Sequence, residues 1–137
     1  MRLTTRPLVD GSAAGRLVVL DAPLSLWGGL DVESGTIADV THPQHGLQLG
    51  GAILAMFIAR GSSSSSSTLV EAARRGTAPA AIIMTQPDPI LTIGSLVAAD
   101  LYGLEIPILL IDADRWSTLV AANGKSVAIE TGGAIRL

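Results

Sequence analysis

Three apolar runs separated by two helix-like stretches constrain this chain more than anything else in it. Residues 52–58 (AILAMFI), 80–84 (AAIIM) and 106–111 (IPILLI) carry no charge. Each has the length of a strand, and unbroken apolar character marks strands buried on both faces. Between the first two runs, Leu69, Val70, Ala72 and Ala73 fall on one side of a helix over 68–75. Glu71 stands early in that stretch, Arg74 and Arg75 late, and Gly76 follows, as the helix dipole and a C-terminal cap prefer. Between the second and third runs, residues 91–102 predict another helix, with Asp88 as its cap, Gly103 as its stop and Gly94 weakening its first turn. Strand–helix–strand–helix–strand argues for parallel βαβ units.

The flanks read as short strands. Residues 17–20 follow Gly11 and Gly15, residues 36–38 follow a turn at Gly35, and residues 127–130 and 134–137 are split by Gly132-Gly133. A helical turn is expected around Trp116, and Asn123-Gly124 is a hairpin signal. The simplest assembly is one α/β domain over 1–137 with β-rich ends, without a linker or an internal repeat. At 137 residues and 48% hydrophobic content, a sizeable core is within reach.

Several function classes drop out. The net charge is −3 and the nine basic residues are scattered, so no nucleic-acid surface is indicated. With no cysteine, the chain has no disulfide, thiolate metal site or cysteine nucleophile. His42 and His45 are the only histidines, and without a carboxylate cluster nearby they read as part of a solvated loop rather than a metal site. The N-terminus lacks a basic-then-apolar signal, and no apolar stretch is long enough to span a bilayer, which predicts a cytoplasmic protein with no membrane partner. One lysine against eight arginines points to a mesophile. A mean hydropathy of +0.49 fits either an aliphatic core or a surface covered by a partner.

One segment invites chemistry. Arg60-Gly61 is followed by six serines, Ser62 to Ser67. Such a block reads as a flexible linker by composition. Its place between a buried strand and a capped helix favours a short ordered loop instead. A small-residue loop entering a helix presents free N–H groups and the positive end of the dipole to an anion. Neither a phosphate-binding P-loop nor a nucleophile elbow fits, since Gly-Lys-Ser/Thr and Gly-x-Ser-x-Gly are both absent. Trp27-Gly28-Gly29 forms a second loop where backbone can pass close to something large, with Trp27 reading as a core or rim anchor.

Taken together these segments resemble the swivelling-domain chain of the aconitase X family. The resemblance is carried by residues 17–31 (LVVLDAPLSLWGGLD), by Arg60-Gly61-Ser62-Ser63-Ser64, by residues 77–83 (TAPAAII), and by Asp88-Pro89-Ile90-Leu91 with Gly94 and the helix after it. It implies a swivelling β/β/α fold like the mobile domain of aconitases. It also implies a heteromeric hydro-lyase whose larger subunit carries an iron or iron–sulfur centre on cysteines, so that this chain binds no cofactor itself and is inactive alone.

By the same resemblance Ser62 is the base that takes a substrate Cα proton. Arg60, Gly61, Ser63, Ser64 and Ser65 would meet the substrate carboxylate, and Ser25, Trp27, Gly28 and Gly29 would form the pocket wall at the subunit interface. Ser64 departs from the aconitase pattern, which has a carboxylate-binding arginine there. Ser66 and Ser67 read as helix-capping residues. Two activities of the family compete: dehydration of cis-3-hydroxy-L-proline to Δ1-pyrroline-2-carboxylate, and dehydration of mevalonate 5-phosphate. A phosphate would favour clustered Arg and Lys, so the lysine-poor sequence favours hydroxyproline. A non-catalytic swivelling or binding domain is the alternative outside enzymology.

Overall fold

A computed structural model describes residues 1–137. Its frame is four parallel strands, β3 (Ala13–Val19), β4 (Ile53–Ala55), β5 (Ala81–Met84) and β6 (Ile108–Leu110), hydrogen-bonded in that order. Side chains alternate across the sheet, as a strand period of two requires. Val18, Leu54, Ile82 and Ile108 enter one buried cluster, and Leu17, Ile53, Ala81 and Leu109 enter the other. Both faces of these strands are therefore covered, which is why the runs read as continuously apolar.

The crossovers all lie on the first face. β3 reaches β4 through a long connection containing one broken helical turn, α1 (Leu26–Gly29). Helix α2 (Ser65–Arg75) joins β4 to β5, and helix α3 (Pro89–Tyr102) joins β5 to β6. Leu69, Ala72 and Ala73 of α2, with Leu91 and Ala98 of α3, pack on the strands there. Both expected caps are present. Asp88 Oδ1 accepts from the N–H groups of Ile90 and Leu91 at 2.9 and 3.0 Å. Gly76 and Gly103 close their helices in the left-handed region, at φ 78° and 65°. Gly94 serves the packing of the two helices, because a Cβ there would lie 3.0 Å from the Ser66 carbonyl oxygen and 3.3 Å from Leu69 Cδ2.

The second face is closed by the sheet itself. Strands β1 (Arg2–Thr4), β2 (Arg6–Val9), β7 (Ser126–Ile129) and β8 (Ala134–Arg136) complete an eight-stranded sheet of order β1-β8-β7-β3-β4-β5-β6-β2. β1 and β2 are its two edges, yet only Thr5 separates them in the chain. One residue advances a strand by only about 3.4 Å, so the edges must meet and the sheet curls. At the seam, the Thr5 hydroxyl and N–H both donate to the Gly133 carbonyl, at 2.6 and 3.2 Å. Gly133 has φ +94°, and a Cβ there would stand 2.8 Å from the Thr5 carbonyl oxygen. Helix α4 (Trp116–Ala121), entered through a 3-10 turn at Ala113–Arg115, adds Leu119 to the enclosed cluster, and Ala122 just beyond it joins them.

Several expectations change. The apolar run over 52–58 is strand only through Ala55, and Phe57 and Ile58 are 46% and 42% exposed beyond it. Asn123-Gly124 makes no hairpin. It forms the turn from α4 into β7, where Asn123 Oδ1 accepts from Val19 N–H at 2.9 Å and Gly124 N–H donates to the Leu17 carbonyl at 2.8 Å. The hairpin lies between β7 and β8, at Gly132-Gly133. Residues 36–38 form two isolated bridges, Leu30 with Ile37 and Thr36 with Gln48, rather than a strand.

Candidate active site

The serine block is an ordered continuation of β4 into α2. Past Ala55 the Met56 N–H still bonds the Ile83 carbonyl at 3.0 Å, after which the chain leaves the sheet. Arg60 N–H reaches the Leu24 carbonyl at 3.5 Å, tying this loop to the one that follows β3. The last four serines turn into the helix. Ser65 N–H donates to the Ser62 carbonyl at 3.0 Å, and Ser64 N–H approaches the Ser62 hydroxyl oxygen at 3.4 Å. The N–H groups of Gly61, Ser62 and Ser63 donate to no other protein group. Ser62 thus sits where free amides and the start of α2 converge, at the carboxyl ends of parallel strands, where open α/β sheets bind ligands.

The facing wall is the α1 turn, held by a buried serine. Ser65 Oγ accepts from Trp27 N–H at 3.2 Å and lies 3.4 Å from Ser25 Oγ. The Ser25 hydroxyl donates to the Trp27 carbonyl at 3.3 Å, so Ser65 is the donor between the two hydroxyls. Both glycines have steric reasons. Gly28 has φ +76°, and a Cβ on Gly29 would stand 2.8 Å from Leu24 Cδ1. Trp27 is 62% exposed, which makes it a rim residue and not a core one.

The two loops border an open cavity of about 610 Å³ lined by Ser25, Trp27, Gly28, Gly29, Asp39, Arg60, Gly61, Ser62 and Ser63. The structure thus brings together most of the residues singled out in the sequence. It leaves out two. Ser64 precedes the first residue of α2, and its carbonyl accepts from both N–H and hydroxyl of Thr68. Ser65 is buried with its hydroxyl engaged by the α1 turn. Ser66 and Ser67 lie inside the first turn of α2 and do not cap it; Ser66 Oγ donates back to the Ser63 carbonyl at 3.3 Å. A concavity of similar size, about 580 Å³, lies around Arg6, Thr85, Asp112 and Arg115 and contains none of the serines.

Asp39 is the lining residue that sequence reasoning missed. Its Oδ1 accepts from the Thr41 N–H at 2.9 Å and the Thr41 hydroxyl at 2.6 Å. Those bonds, the hydroxyl foremost, hold its carboxyl below the ordinary value, and the Arg60 charge adds to them. The only signal available was an aspartate two residues before a threonine, which is a common turn pattern. Arg60 forms no ion pair, whereas Arg74 and Arg75 at the far end of α2 both bind Glu71, at 2.7 and 2.9 Å.

No group of three or more His, Asp or Glu side chains is placed to hold a metal. His42 is not in a solvated loop but buried, because both ring nitrogens are engaged: Nδ1 accepts from Gln44 N–H at 3.0 Å, which leaves Nε2–H to donate to the Ala22 carbonyl at 2.9 Å. An iron or iron–sulfur centre therefore does not fit this chain's own residues.

Comparison with known proteins agrees with this architecture. The aconitase X swivel domain matches residues 2–137. The chain is 42% identical over 119 residues to a cis-3-hydroxy-L-proline dehydratase of Pseudomonas aeruginosa, covering 87% of this chain and 20% of that protein. It is 37% identical to another from Hypocrea jecorina, covering 90% of this chain and again 20% of the relative. The chain thus spans about a fifth of the length of these two dehydratases. It is 38% identical over 98 residues to the phosphomevalonate dehydratase small subunit of Pyrococcus furiosus, covering 72% of this chain and 73% of that one. The crystal structure of Thermococcus kodakaraensis aconitase X in its holo-form superposes with a TM-score of 0.83 at 26% identity, over 99% of this chain and 97% of that one. A mixed α/β fold with a curled eight-stranded sheet, its serine loop at the head of α2 and a sequence match over nearly its whole length lead to one assignment: the chain belongs to the aconitase X swivel-domain family.

Proposed function

We propose that this chain, as a single swivelling unit over 1–137, is the small component of a heteromeric hydro-lyase that dehydrates cis-3-hydroxy-L-proline to Δ1-pyrroline-2-carboxylate. The observation that carries it is the setting of Ser62: a hydroxyl on a cavity wall, approached by Ser64 N–H at 3.4 Å, beside three free loop amides and the unpaired Arg60. An unassisted serine is a poor base. Donors fixed around its oxygen, together with the positive end of α2, stabilise the alkoxide that removes the Cα proton. The substrate carboxylate binds the free amides, Ser63 and Arg60, which also spreads the charge that develops at Cα. The electron pair left at Cα forms the C2=C3 double bond of an enamine as the 3-hydroxyl takes a proton and departs as water, and transfer of the nitrogen-bound proton to C3 yields the product imine.

A larger aconitase X subunit supplies the opposite wall of the open cavity. The iron or iron–sulfur centre implied by the family finds no ligands here and belongs to that subunit. Trp27 on the cavity wall and Ile58 on the wall of the adjoining cavity, both exposed, are the apolar rim it covers.

A second reading, the small subunit of mevalonate 5-phosphate dehydratase, has support from the Pyrococcus furiosus relative, whose length this chain largely matches. Against it, Arg60 is the only basic residue lining the cavity, and a carboxylate with a phosphate calls for clustered cations. The deciding experiment is an assay of the co-expressed pair on both substrates. Water loss from cis-3-hydroxy-L-proline alone is expected; turnover of mevalonate 5-phosphate alone would replace this reading with the second.

A further inference from the structure

Asp39 and Arg60 line the same cavity, and both also line the adjoining one of about 560 Å³. Neither forms an ion pair within the protein: those pairs join Arg2 to Glu130 and Arg74 and Arg75 to Glu71, and Arg60 acts on Asp39 only through its field. The cavity wall thus carries one unpaired anion and one unpaired cation. Asp39 is also held in place: Oδ1 takes both donors of Thr41, while Oδ2 has no protein donor. A turn of this kind needs only the first oxygen, which an asparagine also supplies. The second oxygen, and the negative charge, are left for something else.

We infer that Asp39 is a specificity-determining residue that receives the positively charged nitrogen of an α-amino-acid substrate, while Arg60 and the loop amides take its carboxylate. Opposite charges lining one cavity without joining each other match a zwitterion. They do not match a ligand bearing two anions, which Asp39 repels. The inference rests on the dehydratase reading above and gives its substrate class a chemical reason. It also assigns Asp39 a role beyond its turn.

The test is calorimetric binding to the co-expressed complex of two unreactive ligands that lack the 3-hydroxyl: L-proline, and cyclopentanecarboxylate, which keeps the ring and carboxylate but has no nitrogen. Wild type is expected to bind L-proline at least about tenfold tighter, the effect of one charge-assisted contact. Asp39→Asn keeps an acceptor for the Thr41 bonds and loses only the charge they favour, so its melting temperature falls slightly while the preference collapses to near unity. An Asp39→Asn complex that keeps the wild-type preference, or a wild type that shows none, overturns the inference. The outcomes separate the two claims. A preference that collapses in Asp39→Asn, with a wild-type complex that fails to dehydrate hydroxyproline, upholds Asp39 and removes the dehydratase reading. Dehydration with an unchanged preference does the reverse.

Discussion

Ser65 Oγ accepts the Trp27 N–H at 3.2 Å, so a buried hydroxyl in the first turn of α2 fixes the loop that forms the other wall of the site. Two segments far apart in sequence are thereby set against each other by one side chain. Replacing it with alanine leaves Trp27 N–H without a partner beside the core. Ser65→Ala is expected to destabilise the chain by about 1–3 kcal/mol and to raise KM by misplacing the α1 turn. Ser63→Ala, on the exposed wall, is expected to leave stability unchanged. Urea denaturation of both variants checks the contrast.

Gly94 offers a second test of packing. Alanine is the better helix former by about 1 kcal/mol, so on propensity alone Gly94→Ala would stabilise α3. Its Cβ would instead meet the Ser66 carbonyl oxygen at 3.0 Å and the Ser66 Cα at 3.1 Å. Both are backbone atoms of α2 and yield little. The expected net result is a loss of about 1–3 kcal/mol, read as a lowered thermal midpoint. Because Ser66 lies in the turn that follows the serine loop, activity of the assembled complex should fall as well.

The far end of α2 sets an acid limit. Hydrogen bonds from Arg74 and then Arg75 lower the Glu71 pKa from 4.5 to about 2. A depressed carboxylate pKa contributes stability above the unfolded value and loses it as pH falls through the folded one. The Glu71 contribution is therefore complete above pH 4.5 and fades toward about pH 2. Glu71→Gln should be slightly less stable than wild type at neutral pH, since the group is exposed and screened. The gap should close as pH falls through that window. Denaturation midpoints measured for both proteins at neutral and acidic pH test this, and a gap that widens on acidification would contradict it.

The central βαβαβ frame was legible because its signals are local. Buried strands announce themselves by unbroken apolar character, and Asp88, Gly76 and Gly103 cap their helices through neighbours a few residues away. The curl of the sheet was not legible. It depends on short edge strands rich in exposed residues, and on Thr5 meeting Gly133 across nearly the whole chain. The Asn123-Gly124 signal was overridden by tertiary contacts to Val19 and Leu17. Within the site, Ser62 and the Trp27 loop were found by resemblance. Among six chemically identical serines, only the fold shows which hydroxyls are spent, with Ser65 tied to Trp27 and Ser66 to the Ser63 carbonyl. Asp39 was invisible because a lone loop aspartate gains meaning only when the β3–β4 connection brings it to Arg60.

The most direct test of the account is proton chemistry at Cα in the co-expressed complex carrying Ser62→Ala. Two rates are measured with cis-3-hydroxy-L-proline: formation of Δ1-pyrroline-2-carboxylate and exchange of the Cα proton in deuterated water. Loss of a positioned base lowers turnover by about 10²- to 10⁴-fold, and both rates should fall together while the subunits still assemble and L-proline still binds. A Ser62→Ala complex that keeps either rate within a few-fold of wild type would contradict the assignment of Ser62 as the base.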